Sequence, residues 1–296
     1  MNFINIKLLK EKFIKYFFYE NFITWFADNF GKESNVNILH VISMLEAQKT
    51  TEYWIFWIFE TFELSGIAKQ WYVNGQLEFE GNYVDGKKHG EAKQWYDNGQ
   101  LEVECNYVDG KRHGECKEWH ENGQLAIECN YSNGKLQGEA KQWYVNGQLD
   151  VECDYVDGKR HGEAKQWYDN GQLEVECNFL DGKRHGECKE WHENGQLAIE
   201  CNYSNGKLQG EAKQWYVNGQ LDVECDYVDG KRRGECKEWY DNGQLETKCN
   251  YKNGKLHGEY KEWHENGQLE TKCNYKNGEL HEKLKEKSNL KKGVKK

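Results

Sequence analysis

Between Leu101 and Tyr107 apolar and polar residues alternate strictly: Leu101, Val103, Cys105 and Tyr107 fall on one parity, Glu102, Glu104 and Asn106 on the other. A period of two is the mark of a half-buried strand. Glu91 to Tyr96 reads as a first strand before it, and Asp97-Asn98-Gly99-Gln100 joins the two with an Asn-Gly hairpin signal. Asp109-Gly110 then turns the chain toward Gly114, where the same sequence begins again. The 24-residue unit recurs nine times over residues 66–281, with tryptophan at Trp71, Trp95, Trp119, Trp143, Trp167, Trp191, Trp215, Trp239 and Trp263. Such a period predicts a repeat architecture. The expected fold is an all-β repeat array: an elongated, twisted single-layer antiparallel sheet of consecutive hairpins. Nine hairpins give about eighteen strands and, at ~4.8 Å per strand, a curved ribbon roughly 85 Å long.

Residues 1–65 break the pattern and are expected to form a mainly helical cap. Residues 3–30 read as helix with Leu8, Leu9, Phe13, Phe17 and Phe18 near one side, and Ile38 to Gln48 as a second helix after a loop. The run Tyr53 to Phe59 falls on repeat phases when the array is shifted back by 24 residues, which predicts a degenerate strand at 53–59. That strand is apolar on both sides, through Trp54, Phe56 and Ile58 as well, so the helices would have to cover it. The competing reading has Phe13, Phe17, Trp25 and Phe26 contacting a membrane surface or a partner. The region lacks 18 uninterrupted apolar residues for a span, and no clean secretion signal precedes it. Cytoplasmic residence, with peripheral membrane association as the variant, is the expectation.

Composition sharpens this picture. The hydrophobic fraction is 37% and the charged fraction 30%, while aromatics at fixed phases make up 14%, which suits a thin sheet better than a compact core. The net charge of -10 disfavours a nonspecific nucleic-acid role, because a backbone-binding face needs concentrated Lys and Arg, and no specific nucleic acid is expected as a partner. Residues 282–296 are the exception, a basic tail of seven lysines against two glutamates. Of the eleven cysteines, eight (Cys105, Cys129, Cys153, Cys177, Cys201, Cys225, Cys249, Cys273) share one phase. Equivalent positions two strands apart lie roughly 9.6 Å from each other, beyond the reach of a disulfide at about 7 Å. Cys116, Cys188 and Cys236 occupy a phase where other units carry Ala or Tyr. All eleven are therefore expected to be reduced, small buried fillers.

Three constellations invite a chemical reading. Glu102 and Glu104, and again Glu174 and Glu176, share a strand face, but repetition without a distinct nucleophile describes a solvated surface. His113, Cys116 and His120, recurring as His185, Cys188 and His192, approach a metal set without a convergent fourth donor. The tryptophan ladder is the stronger candidate, either stacked within the sheet or presented as a protein-binding strip. No catalytic residue, metal, cofactor or small-molecule substrate is expected. Residues 90–161 recur almost verbatim as 162–233, so three-unit cassettes have been copied.

Gly90, Trp95, Tyr96, Asn98, Gly99, Tyr107, Asp109, Gly110 and Lys111, with their equivalents through His281, resemble the second variant of the MORN repeat family. The resemblance covers about 216 of the 296 residues. It implies single-layer hairpin sheets used as scaffolds, in contact with proteins and, for some members, membranes. Bacterial proteins with this variant are often labelled antitoxins, although nothing in these residues names a toxin. The sequence thus leads to a non-enzymatic scaffold that binds a protein through an extended aromatic and acidic sheet face. A membrane-associated scaffold and an antitoxin-like binder are the alternatives.

Overall fold

The turn between units sets the geometry of everything after it. In a computed structural model, which describes residues 3–4, 8–9, 19–32, 36–49 and 53–283, Val108 pairs with Lys111 across a two-residue loop. Asp109 and Gly110 both take positive φ, 49° and 79°. This is the primed turn whose twist matches that of antiparallel strands, and Asp-Gly is among the few pairs that adopt it cheaply. The other turn is longer. Trp95 pairs with Leu101, the Tyr96 N–H donates to the Gln100 carbonyl at 2.9 Å, and the Asn98 side chain accepts from the Gln100 N–H at 2.9 Å. Only Gly99 is left-handed here, with φ 84°, and a Cβ on it would collide with the Gln76 side chain of the preceding turn.

Alternating these turns produces an open antiparallel meander in each of two units, residues 1–147 and 148–296. The described residues form eight such strands in the first unit, from Gly66–Trp71 to Gly138–Trp143, and thirteen in the second, from Leu149–Val156 to Glu279–Lys283. The count exceeds eighteen because two strands are interrupted, at Gln137 and Gln209, and one more pairs after the last full repeat.

Successive hairpin tips are bonded to each other. The Tyr72 hydroxyl donates to the Trp95 carbonyl at 2.7 Å, and Tyr96 does the same to Trp119 at 2.7 Å. In the second unit Tyr168, Tyr216 and Tyr240 reach Trp191, Trp239 and Trp263 at 2.8 Å. Where the tyrosine is replaced by histidine the bond persists: Nε2 of His120 meets the Trp143 carbonyl at 2.8 Å, and that of His192 the Trp215 carbonyl at 2.9 Å. Asparagines run a parallel ladder, as when Asn74 Nδ2 donates to the Asp97 carbonyl at 2.7 Å and Asn98 Nδ2 to that of Glu121 at 3.1 Å. Burial pushes the Tyr96 hydroxyl above the ordinary tyrosine range, so it stays protonated as a donor.

The apolar core lies at the amino-terminal end. Helices α1 (Tyr19–Phe30), α2 (Ile38–Ala47) and α3 (Trp54–Thr61) pack with Ala68 and Tyr83 of the first hairpin. Asn37 caps α2, accepting the Leu39 N–H at 2.8 Å. The strand expected over 53–59 is instead α3. Its buried side chains, Ile55, Ile58 and Phe59, follow helical spacing rather than alternation. A run apolar at every position suits a helix buried on several sides, because a helix satisfies its own backbone groups. The helical expectation for 3–30 is met at Leu8, Leu9 and over Tyr19–Phe30, but Phe3–Ile4 is instead a short strand paired with Val36–Asn37, within the expected loop; Phe13, Phe17 and Phe18 and the basic tail from 284 lie outside the described residues.

One sheet face carries an ion ladder. Lys117 sits 2.7 Å from Glu115 and 3.2 Å from Glu128 on the next strand, and Lys189 bridges Glu187 and Glu200 in the same way. In the last repeats the row changes: Lys248 and Lys272 replace glutamate opposite Lys237 and Lys261. Glu235 and Glu259 then each hold two lysines within 3.1 Å. These hydrogen-bonded lysines keep Glu115, Glu235 and Glu259 below the ordinary carboxylate range.

Two outcomes follow. Tyr96→Phe leaves the ring but deletes the bond to the next turn, and should lower unfolding free energy by about 1 kcal/mol in urea titrations, whereas His120→Tyr should be near neutral. A carboxylate with a depressed folded pKa contributes stability above its unfolded value and loses it as pH falls through the folded one. The urea midpoint should therefore drop between about pH 5 and pH 3, with a smaller change at about 1 M salt.

Candidate protein-binding face

Register partners lie on the same side of a sheet, so the pairings Ala92 with Cys105 and Gln94 with Val103 place these residues on the face of Leu101 and Tyr107. Glu104 and Lys93 pair on the opposite side. The aromatic residues and most of the acids therefore occupy opposite faces, whereas the sequence had suggested one combined surface.

Across the inter-unit turn, the aromatic face gains arginine. Tyr107 pairs with Arg112, whose guanidinium lies 5.3 Å from the Tyr131 ring centroid and donates to the Tyr131 hydroxyl at 3.2 Å and to Glu118 at 3.3 Å. The second unit repeats this arrangement twice. Arg184 meets Tyr203 and Glu190 at 3.3 and 3.1 Å, and Arg232 meets Tyr251 and Glu238 at 3.2 and 3.0 Å. Burial pushes the Tyr131, Tyr203 and Tyr251 hydroxyls up, with the arginine hydrogen bond acting against it, and they remain neutral partners. Strand parity alone does not mark these clusters. The available signal was Glu118, Glu190 and Glu238 appearing six residues after Arg112, Arg184 and Arg232, where several other units carry Gln.

All nine tryptophans end the first strand of their hairpins and are half-buried. Trp71 packs with Phe79 against the helical core. The carbonyls from Trp95 onward that accept tyrosine or histidine bonds give these residues a structural share, while the indoles stay accessible in part. Of the amino-terminal candidates, Phe26 is fully buried and Trp25 donates from Nε1 to Gln48 at 2.9 Å. Both belong to the cap over the first hairpin, which takes Phe26 away from any outside contact. No helix among the described residues is long and apolar enough to cross a membrane.

The cysteines depart from expectation. Cys105 and Cys116 form a disulfide, with Cα atoms 4.2 Å apart, as do Cys177–Cys188 and Cys225–Cys236 at 4.1 and 4.4 Å. The expectation compared cysteines of one phase; the bonds join the two phases across neighbouring strands. Cys129, Cys153, Cys201 and Cys249 are buried thiols outside these disulfides, and Cys273 is buried in the same row. With three disulfides present, the argument for a uniformly reducing compartment no longer holds. Cys116 is thus committed to sulfur and His120 to the next turn, and no group of three or more metal-ligating side chains converges among the described residues. Glu104 lies 3.5 Å from Lys93 as a member of the ion ladder.

Solved structures share only the most general likeness. Alternansucrase in complex with isomaltononaose matches over 70% of this chain and 17% of its own, at 18% identity and a TM-score of 0.18. The TcdB2–TccC3–Cdc42 complex matches over 70% of this chain and 14% of its own, at 12% identity and a TM-score of 0.16. The chain therefore spans less than a fifth of either of these structures. No curated protein matches the chain. The family model described as a MORN repeat variant matches nine times, at 64–85, 88–109, 112–133, 136–157, 160–181, 184–205, 208–229, 232–253 and 256–277. These matches cover well over half of the sequence in the same phase as the observed hairpins, and the chain belongs to the MORN repeat variant family as a repeat scaffold.

Proposed function

We propose that this scaffold is non-enzymatic and binds a protein through the aromatic face of its repeat sheets. One observation carries the reading: the three helices pack on the first hairpin, whereas among the described residues the later hairpins keep the same rows of Leu, Val, Tyr and Arg with no described helix in their clusters. Tyrosine, tryptophan and arginine are the side chains that most often anchor protein interfaces, since they combine large apolar area with directional bonds. Here arginines held by Tyr and Glu are ordered before any partner arrives, which lowers the entropic cost of binding. Near-identical stations along one sheet favour a partner that engages several at once, so that affinity grows with the number engaged. The opposite face, with its lysines and glutamates already paired, is supported more weakly, because exposed ion pairs contribute little.

The test compares the two faces in the full-length chain. Proteins captured by the native chain are compared with those held by Arg112→Ala/Arg184→Ala/Arg232→Ala and by Lys117→Ala/Lys189→Ala/Lys213→Ala. A partner of the aromatic face should lose roughly tenfold or more in affinity with the arginine variant and stay within about threefold with the lysine variant. Circular dichroism and urea midpoints serve to confirm that both variants are folded. Equal retention by the arginine variant, or selective loss with the lysine variant, would refute the assignment of the face.

A further inference from the structure

Three sulfur rows recur in the sheets. Cys105 lies opposite Cys116, and Cys116 opposite Cys129 on the following strand. Cys177, Cys188 and Cys201 repeat this order, as do Cys225, Cys236 and Cys249. Each trio is at most 3% exposed. Each is also bounded: Ala92 pairs with Cys105, Ala164 with Cys177, Ala212 with Cys225, and Tyr260 with Cys249. In every trio the first two sulfurs form the disulfide and the third is a free thiol.

We propose that each trio is a thiol–disulfide exchange site in which the third cysteine displaces the first from the second. In the first trio the Cys129 thiolate attacks Sγ of Cys116, the Cys105–Cys116 bond breaks, and a Cys116–Cys129 disulfide forms. Cys105 leaves as thiolate and takes up the proton that Cys129 gave, so no electrons enter or leave the protein. Displacement at sulfur runs in line, with attacking and leaving sulfurs on opposite sides of the central one. Three cysteines in register across three consecutive strands supply that order, with Cys116 always in the middle.

The backbone is compatible with both connectivities. Antiparallel partners alternate between narrow pairs, near 4.5 Å, and wide hydrogen-bonded pairs, near 5.5 Å between Cα atoms. Cys105 and Cys116, at 4.2 Å, are a narrow pair. Cys116 and Cys129 therefore form a wide one, and both spacings fall close to the range that disulfides adopt. In the first trio the present bond spans 11 residues and the alternative spans 13, so loop-closure entropy hardly distinguishes them. The Cys129 thiol already approaches its target residue, with Sγ 3.8 Å from the Cys116 carbonyl oxygen. Exchange would move the covalent link from the turn between two repeats to the hairpin within one repeat. Because attacker and target are neighbours within the sheet, burial shields the trio from outside thiols without blocking this internal step.

Burial also sets the pace. It raises the Cys129 and Cys201 thiols and pushes Cys249 up to about 11. Thiolate is scarce at neutral pH, and the exchange rate should rise about tenfold per pH unit until that value is approached.

The third trio allows a direct test, because Lys and Arg residues divide it into separate tryptic segments: 214–231 with Cys225, 234–237 with Cys236 and 249–252 with Cys249. The first and last are identical in sequence to 142–159 with Cys153 and 273–276 with Cys273, so those two cysteines are replaced by alanine to make each cysteine-bearing segment of the trio unique. The full-length protein carrying Cys153→Ala and Cys273→Ala, purified without reductant, is held at about pH 7 or about pH 10, quenched in acid, alkylated and mapped by mass spectrometry. The segment 234–237 should begin joined to 214–231 and become joined in part to 249–252, faster at the higher pH, while Cys225 becomes open to alkylation. Cys249→Ala should keep the first connectivity throughout. The proposal is overturned if Cys236 never joins Cys249, if all nine remaining cysteines alkylate without reduction, or if Cys236 pairs as readily with Cys129 or Cys201 as with its row neighbour.

Discussion

A thin sheet has no interior in which to hide its backbone, so its stability depends on how each hairpin is tied to the next. Here the ties are made twice over. The strands share the ordinary ladder of backbone bonds, and the hairpin tips add a second ladder in which a Tyr or His ring and an Asn side chain bond to the carbonyls of the following tip. The partner always lies 23 residues ahead, so an insertion or deletion of even one residue within a unit would misalign both side-chain ladders. The fixed phase of Trp, Tyr, Asn and Gly follows from that requirement, because a repeat array gains its stability from interfaces between neighbouring units.

The two faces of each sheet solve different problems. On one, lysine and glutamate alternate across strands and neutralise each other, and when Lys248 and Lys272 break the alternation the carboxylates of Glu235 and Glu259 take on two lysines each. Like charges opposite one another would otherwise repel. The other face is aromatic and aliphatic, with arginines lying against tyrosine rings. At the amino-terminal end that face is taken up by the helices, where the Phe59 and Tyr83 rings meet at a tilt, 5.3 Å between centroids. A single layer leaves the same chemistry available further along, and this is why a binding role and a structural role share the same residues.

The cysteines form a third layer of organisation, laid along the middle of the aromatic face. A cysteine in either phase alone would be only a compact filler beside the Val and Tyr rows. Its pairing changes when both phases carry sulfur, because neighbouring strands bring the two within bonding reach. Alanine occupies the same row at the buried Ala92 and Ala164 and the half-buried Ala212, and Ala164 lies between Cys153 and Cys177.

The sequence alone determined whatever depends on neighbours in the chain: strand parity at Leu101 to Tyr107, both turns of the repeat, the number of repeats and the family they belong to. It also located α2 within a residue of its observed end. What it left open depended on register. Counting back from the Asp109-Gly110 turn places Cys105 opposite Gly114, and only the irregularity between Cys105 and Tyr107 brings Cys116 into that place. The same displacement concealed the disulfides from an argument based on equal phases. At Tyr53 to Phe59 periodicity had nothing to measure, since every position is apolar, and packing against the first hairpin selected a helix. The packing of Trp71 against the helices was likewise a matter of tertiary contacts, because a bulge just before it interrupts the alternation from which a face could have been read.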